Sequence, residues 1–201
     1  TKEQFSKLIP LLESSFEVHA FDFSGHGKNV TSTRSFNMET FAYEIGEYIS
    51  NNNLKDVTIF GYSMGGYAAL VEASTNLEIK KVFTLGTKFE WSPEIAEAEK
   101  RKLNPDKIEE KVPAFADFLT KKHGALDWKN VVRNTAVMME ALGVNPLLDD
   151  TILNQIKIPV LVGLGDQDNM VSEEESKWAV ARLSQAKLQV LENTLHPFEQ
   201  V

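Results

Sequence analysis

Short apolar runs alternate with segments whose apolar residues recur every three or four positions, and this alternation restricts the fold more than any other feature. "FEVHAFDF" (16–23), "VTIF" (57–60), "KKVFTLG" (80–86), "IPVLVGLG" (158–165) and "KLQVLEN" (187–193) have the length and the β-branched or aromatic content of strands. Between them lie helical patterns. Phe5, Leu8, Ile9 and Leu12 share one face in "KEQFSKLIPLLES", as do Phe41, Ile45 and Ile49 in "METFAYEIGEYIS". "YAALVEAST" (67–75) and "VSEEESKWAVARLSQ" (171–185) follow, the latter opening on Ser172 and Glu175 at capping-box spacing. Strand–helix–strand order implies right-handed crossovers and a mostly parallel sheet flanked by helices, here expected to be covered on both faces.

The alternation stops between residues 88 and 156, where no strand pattern occurs. Ser92 and Asn104, each followed by proline, are expected N-caps, and "DWKNVVRNTAVMMEALG" (127–143) is a helix expected to stop at Gly143. The expected organisation is a core built from 1–87 and 157–201, with 88–156 as a helical insert. A net charge of −8 with scattered lysines and arginines argues against a nucleic-acid partner. No apolar run is long enough to span a bilayer, the first residues lack a signal-peptide pattern, and there is no cysteine. A cytoplasmic protein fits that usage. The sequence does not define an oligomeric state.

Three glycines surround one serine in "FGYSMGGYAAL". Gly61-Tyr62-Ser63-Met64-Gly65 ends a strand and opens a helix, the setting of a nucleophile elbow. Such a turn strains Ser63 and points its hydroxyl away from the sheet's carboxyl edge. Gly61 and Gly65 are expected to give the backbone room to fold back, and Gly66 to let the helix lie close to the sheet. A tight turn that happens to carry a serine is the bland alternative.

A serine hydroxyl needs a base, and the base an orienting acid. Of four histidines, His19 lies inside an expected strand and is taken as a core residue. His26 lies in the glycine-rich "DFSGHG" turn upstream of Ser63, and His123 ends a helix, where a cation is favourable. His196 follows the last strand in "TLHPFEQ", at the edge where catalytic loops collect, and is the expected base. The acid belongs after the preceding strand, where "GLGDQDNMVS" offers both Asp166 and Asp168.

With "DFSGHG", "GYSMGG", "IPVLVGLGDQDNMVS" and "LHP" in place, the chain resembles the α/β-hydrolase fold family. The resemblance implies Ser63 as nucleophile and His196 as base, and its D-x-x-V pattern selects Asp168, with Val171, as the acid. It implies the Met64 backbone N–H as one oxyanion donor and a structural role for the "DFSGHG" turn. It also places a cap domain at 88–156. Further strands and an "HG"-type loop carrying a second oxyanion donor would precede Thr1, and a covering helix would follow Val201, so the chain is expected to be shortened at both ends.

The implied activity is a serine hydrolase cleaving a small to medium apolar ester or related acyl group through a Ser–His–Asp triad and an acyl-enzyme. Tyr62, Trp91, Phe115, Phe118, Met138 and Met139 are the candidate pocket residues, although aromatic and Met residues at helical spacing are more often core. No metal or cofactor is implied, and the partner is a small-molecule substrate. A carbon–carbon bond hydrolase, a cofactor-free lyase on the same scaffold, or a non-catalytic binding protein of this fold are the alternatives.

Overall fold

A computed structural model describes residues 1–125 and 127–198. In chain order the helices and strands begin with α1 (Ile9–Leu12), α2 (Met38–Asn51), β1 (Val57–Tyr62), α3 (Met64–Ala73) and β2 (Ile79–Leu85). There follow α4 (Pro93–Lys100), α5 (Pro105–Lys111), α6 (Pro113–His123), α7 (Trp128–Val144) and α8 (Asp150–Gln155). The chain continues with β3 (Val160–Gly165), α9 (Glu173–Arg182) and β4 (Ala186–Leu191). It divides into two compact units, a sheet unit of Met38–Ile95 with Leu142–Val201 and a helical unit of Thr1–Asn37 with Ala96–Ala141. The segment 96–141 falls inside the 88–156 stretch set apart in the sequence.

In the sheet unit the described strands form a parallel sheet in the order β1-β2-β3-β4. The register pairs Tyr62 with Leu85 and Leu85 with Gly163, and β3 and β4 continue two residues further to end together at Gly165 and Leu191, so all four strands run to the same edge of the sheet. Parallel strands deliver the loops after β1, β2, β3 and β4 to one edge, and this is what assembles a site there. Phe41, Ile45 and Ile49 of α2 are buried, as the four-residue spacing requires, together with Leu70 of α3 and Val82, Val162 and Leu164 of the sheet. Ser172 closes its capping box, accepting from Glu175 N–H at 3.1 Å while Ser172 N–H donates to the Glu175 carboxylate at 3.2 Å. Glu175 also accepts from Phe89 N–H at 2.9 Å and so ties α9 to the chain leaving β2.

Burial along the strands alternates more than a sheet covered on both faces would show. Val82 and Val162 are buried, whereas Lys81, Phe83, Lys187 and Gln189, which share the other face by register, are exposed. That alternation is the mark of a sheet with one dry face.

In the helical unit Ile108, Ala116, Leu119, Trp128 and Val132 pack together. Asn104 caps α5 as expected, accepting from the N–H groups of Asp106 and Lys107. Two expectations fail. Residues 17–23 form no strand, and Phe16 is 60% exposed. A strand exists only through its ladder, and no described segment pairs with this one, so local composition could not make it one. Gly143 does not stop α7, which continues to Val144. No helix among the described residues is long and apolar enough to cross a membrane.

Candidate active site

β1 ends at Tyr62, and Ser63 takes φ 50°, ψ −119°, a conformation unfavourable for a residue with a Cβ. Three contacts over-determine it. Ser63 N–H donates to the Leu85 carbonyl at 2.8 Å, while the Ser63 carbonyl accepts from the Thr87 hydroxyl at 2.9 Å and from Gly66 N–H at 3.0 Å. The turn is thus nailed to the end of β2, which offsets a strain of about 1–3 kcal/mol.

The glycines divide their roles differently from the expectation. A Cβ on Gly61 would lie 2.5 Å from the Gly66 backbone, and one on Gly66 would overlap the Thr87 hydroxyl and stand 2.9 Å from the Gly61 carbonyl. Gly61 and Gly66 therefore make the fold-back. A Cβ on Gly65 would meet nothing within 4 Å, so fold-back does not require glycine there. Met64 N–H opens α3, and no described backbone or side-chain group accepts from it. Its position at the positive end of the helix suits it to receive negative charge.

The loops after β3 and β4 bring an acid to a histidine. His196 Nδ1 lies 2.7 Å from Asp168 Oδ2, with both side chains almost wholly buried. Asp168 Oδ1 accepts from Met170 N–H at 2.8 Å and from Val171 N–H at 3.0 Å, so the valine after the acid marks a loop that folds onto the carboxylate. Burial pushes the Asp168 carboxyl up. The hydrogen bonds from His196 and from the two N–H groups outweigh it, and the net shift is downward. An ionised Asp168 accepts a hydrogen bond from Nδ1–H, which leaves Nε2 as the acceptor end of the ring.

Asp166 does other work: it accepts from Thr194 N–H at 3.1 Å, while Gln167 N–H donates to the Thr194 carbonyl at 3.0 Å. The two aspartates separate into one that faces the imidazole and one that holds its loop. Gly86, at φ 58°, lies against both members of the pair. A Cβ there would stand 3.1 Å from the His196 ring and 3.2 Å from Asp168 Oδ2. Gly86 and Thr87 carry one signal in the sequence, a glycine directly after the strand "KKVFTL". Gly86 also follows Leu85, which binds Ser63 N–H, so elbow and pair meet at the same strand end. Among the described residues no hydrogen bond joins Ser63 Oγ to His196.

The other histidines lie elsewhere in chemistry. His19 is on an exposed residue beside Glu17, at 3.1 Å, and not in a core strand. His123 is 9% exposed and its Nδ1 accepts from Gly27 N–H at 3.1 Å, so it is a buried neutral ring rather than a helix-end cation. Among the candidate pocket residues, Tyr62 donates its hydroxyl to the His196 carbonyl at 2.9 Å. Trp91 lines a cavity of about 440 Å³ in the sheet unit with Phe89, Ile95, Leu148 and Trp178. In the helical unit Phe118 packs against the apolar cluster and stacks on Phe115, which is 45% exposed, while Met138 is buried and Met139 half-buried.

The fold and this edge define a class, and the comparisons agree with it. A family model described as alpha/beta hydrolase fold matches residues 1–118. The structure of a thermophilic esterase from Thermogutta terrifontis superposes with a TM-score of 0.75 at 19% identity, covering 99% of this chain and 80% of that one. A bromoperoxidase from Bacillus anthracis gives 0.73 at 20% identity, covering 98% and 81%. The enol-lactonase from Burkholderia xenovorans gives 0.74 at 17%, covering 94% and 78%. No curated protein sequence matches. The chain belongs to the alpha/beta hydrolase fold family.

Proposed function

We propose that Ser63, His196 and Asp168 form a nucleophile–base–acid triad that hydrolyses a small to medium apolar ester, or a related acyl substrate, through an acyl-enzyme. One observation carries the reading: the buried 2.7 Å Asp168–His196 pair emerges at the same strand ends as the strained Ser63. An esterase and an enol-lactonase among the structural neighbours support an ester-type bond.

In the first half-reaction Ser63 Oγ attacks the carbonyl carbon as its proton passes to His196 Nε2. Asp168 holds Nδ1–H and stabilises the imidazolium. The oxyanion faces Met64 N–H at the start of α3. Collapse expels the alcohol, which takes the proton from Nε2. Water, deprotonated by the same nitrogen, then releases the acid and restores Ser63. The apolar part of the substrate is placed against Trp91, and the segment 88–156 is assigned the selecting role of a cap.

Labelling with a fluorophosphonate probe tests this. Label on the wild-type chain and none on Ser63→Ala or His196→Ala supports the triad. A folded wild type that takes no label and cleaves no p-nitrophenyl ester removes it.

A further inference from the structure

Tyr62 was set out above as a pocket residue, yet its polar atom is turned to another task. Its hydroxyl donates to the main-chain carbonyl of His196 at 2.9 Å, across 134 residues of chain. The Tyr62 ring lies 5.4 Å from the His196 ring at 44°, and Phe198 packs at 5.4 Å from Tyr62 and 6.0 Å from Phe60. The last residue of β1, bonded covalently to Ser63, thus holds the residue that faces Asp168.

We propose that Tyr62 is a positioning residue that sets His196 relative to Ser63, a role that rests on the triad reading above. The side-chain hydrogen bond to Asp168 sets the imidazole relative to the acid and does not by itself set its distance from Ser63. The loop itself is anchored from the acid's side by Asp166 and Gln167 on Thr194. Those anchors fix His196 to Asp168, and neither reaches the nucleophile's strand. Tyr62 supplies that second reference point, because its main chain is continuous with the elbow while its hydroxyl grips the base's main chain. A displacement of the order of 1 Å between base and nucleophile costs roughly 100-fold in rate, and an orphaned half-buried carbonyl would favour such a shift.

The test compares wild type, Tyr62→Phe and Tyr62→Leu in hydrolysis of p-nitrophenyl butyrate, with folding followed by thermal melting. Tyr62→Phe keeps the ring packing and removes the hydroxyl alone. The expected result is a roughly 10- to 100-fold fall in kcat with KM unchanged, and a matching fall in the rate of fluorophosphonate labelling. Tyr62→Leu should lose about as much kcat, since the hydroxyl carries the effect. Either variant, folded and turning over at the wild-type kcat, overturns the proposal and leaves the triad standing. A change confined to KM also overturns it and returns Tyr62 to the substrate pocket. A wild type without hydrolysis or label removes the triad, and the positioning role with it.

Discussion

Two parts of this chain put a histidine in a turn with an aspartate nearby, buried at His196 and half-buried at His26, and they do opposite things with it. In the sheet unit Asp168 turns one carboxylate oxygen to His196 and the other to backbone N–H groups. In the helical unit Asp22 spends both oxygens on the N–H groups of Lys2 and Lys28. His26 Nδ1 bonds the Ser24 carbonyl, and its ring stacks on Phe36 and lies 5.8 Å from that of His123. Burial, outweighing the nearby Asp22 charge, pushes both His26 and His123 from 6.5 down to about 4. A histidine near an acid is thus not yet a base. What counts is whether the carboxylate is directed at the ring or consumed by the main chain, since only the first arrangement stabilises an imidazolium.

The sharpest way to break this contrast is Asp168→Asn. It keeps the shape but cannot hold the Nδ1–H tautomer, and ester hydrolysis should fall by about 10³- to 10⁴-fold. A loss below tenfold would mean that Asp168 does not orient the base.

Acid titration separates the two regions next. Between pH 6.5 and about 4 the unfolded chain binds protons that the folded His26 and His123 refuse, so stability falls on acidification through that window. For His123 the loss is on the order of 3 kcal/mol at the bottom of the window, as an upper value. Asp168 has the reverse arrangement. Its carboxyl lies below its ordinary 3.8, so its contribution is present above that value and is lost only as pH falls further. Urea midpoints measured from pH 7 to 3 should show the first loss before the second. His123→Gln should remove much of the upper loss and leave the lower one, and an unchanged profile in that variant would break the assignment.

The smallest expected effect belongs to Asp22→Asn. It should leave the hydrolysis rate within about twofold, because that carboxylate braces a turn and touches no imidazole by hydrogen bond. A large loss of rate there would erase the distinction between the two regions.

Much of this was legible in advance, and for a local reason. The elbow around Ser63, the capping box at Ser172 and the burial of Phe41, Ile45 and Ile49 each depend on residues within one or two turns of chain. Periodicity and turn chemistry are local properties, so one sequence suffices to read them. The choice between Asp166 and Asp168 was not of that kind. One residue separates them, and the difference lies in which one meets a ring 28 positions away and which one meets Thr194 N–H.

The same limit explains the misread positions. Residues 16–23 have a strand's composition but no described ladder, and Gly65 sits in a motif whose crowding falls on Gly61 and Gly66. The hydroxyl of Tyr62 found a carbonyl 134 residues distant, which no spacing rule contains. Sequence alone determined the alternating elements from β1 onward, the strained turn at Ser63 and the order of Ser63, the two aspartates and His196 along the chain. Tertiary structure decided which aspartate faces His196, which histidines stay neutral and which glycines are crowded. Those outcomes depend on contacts between distant loops, brought together only when parallel strands deliver them to one edge of the sheet.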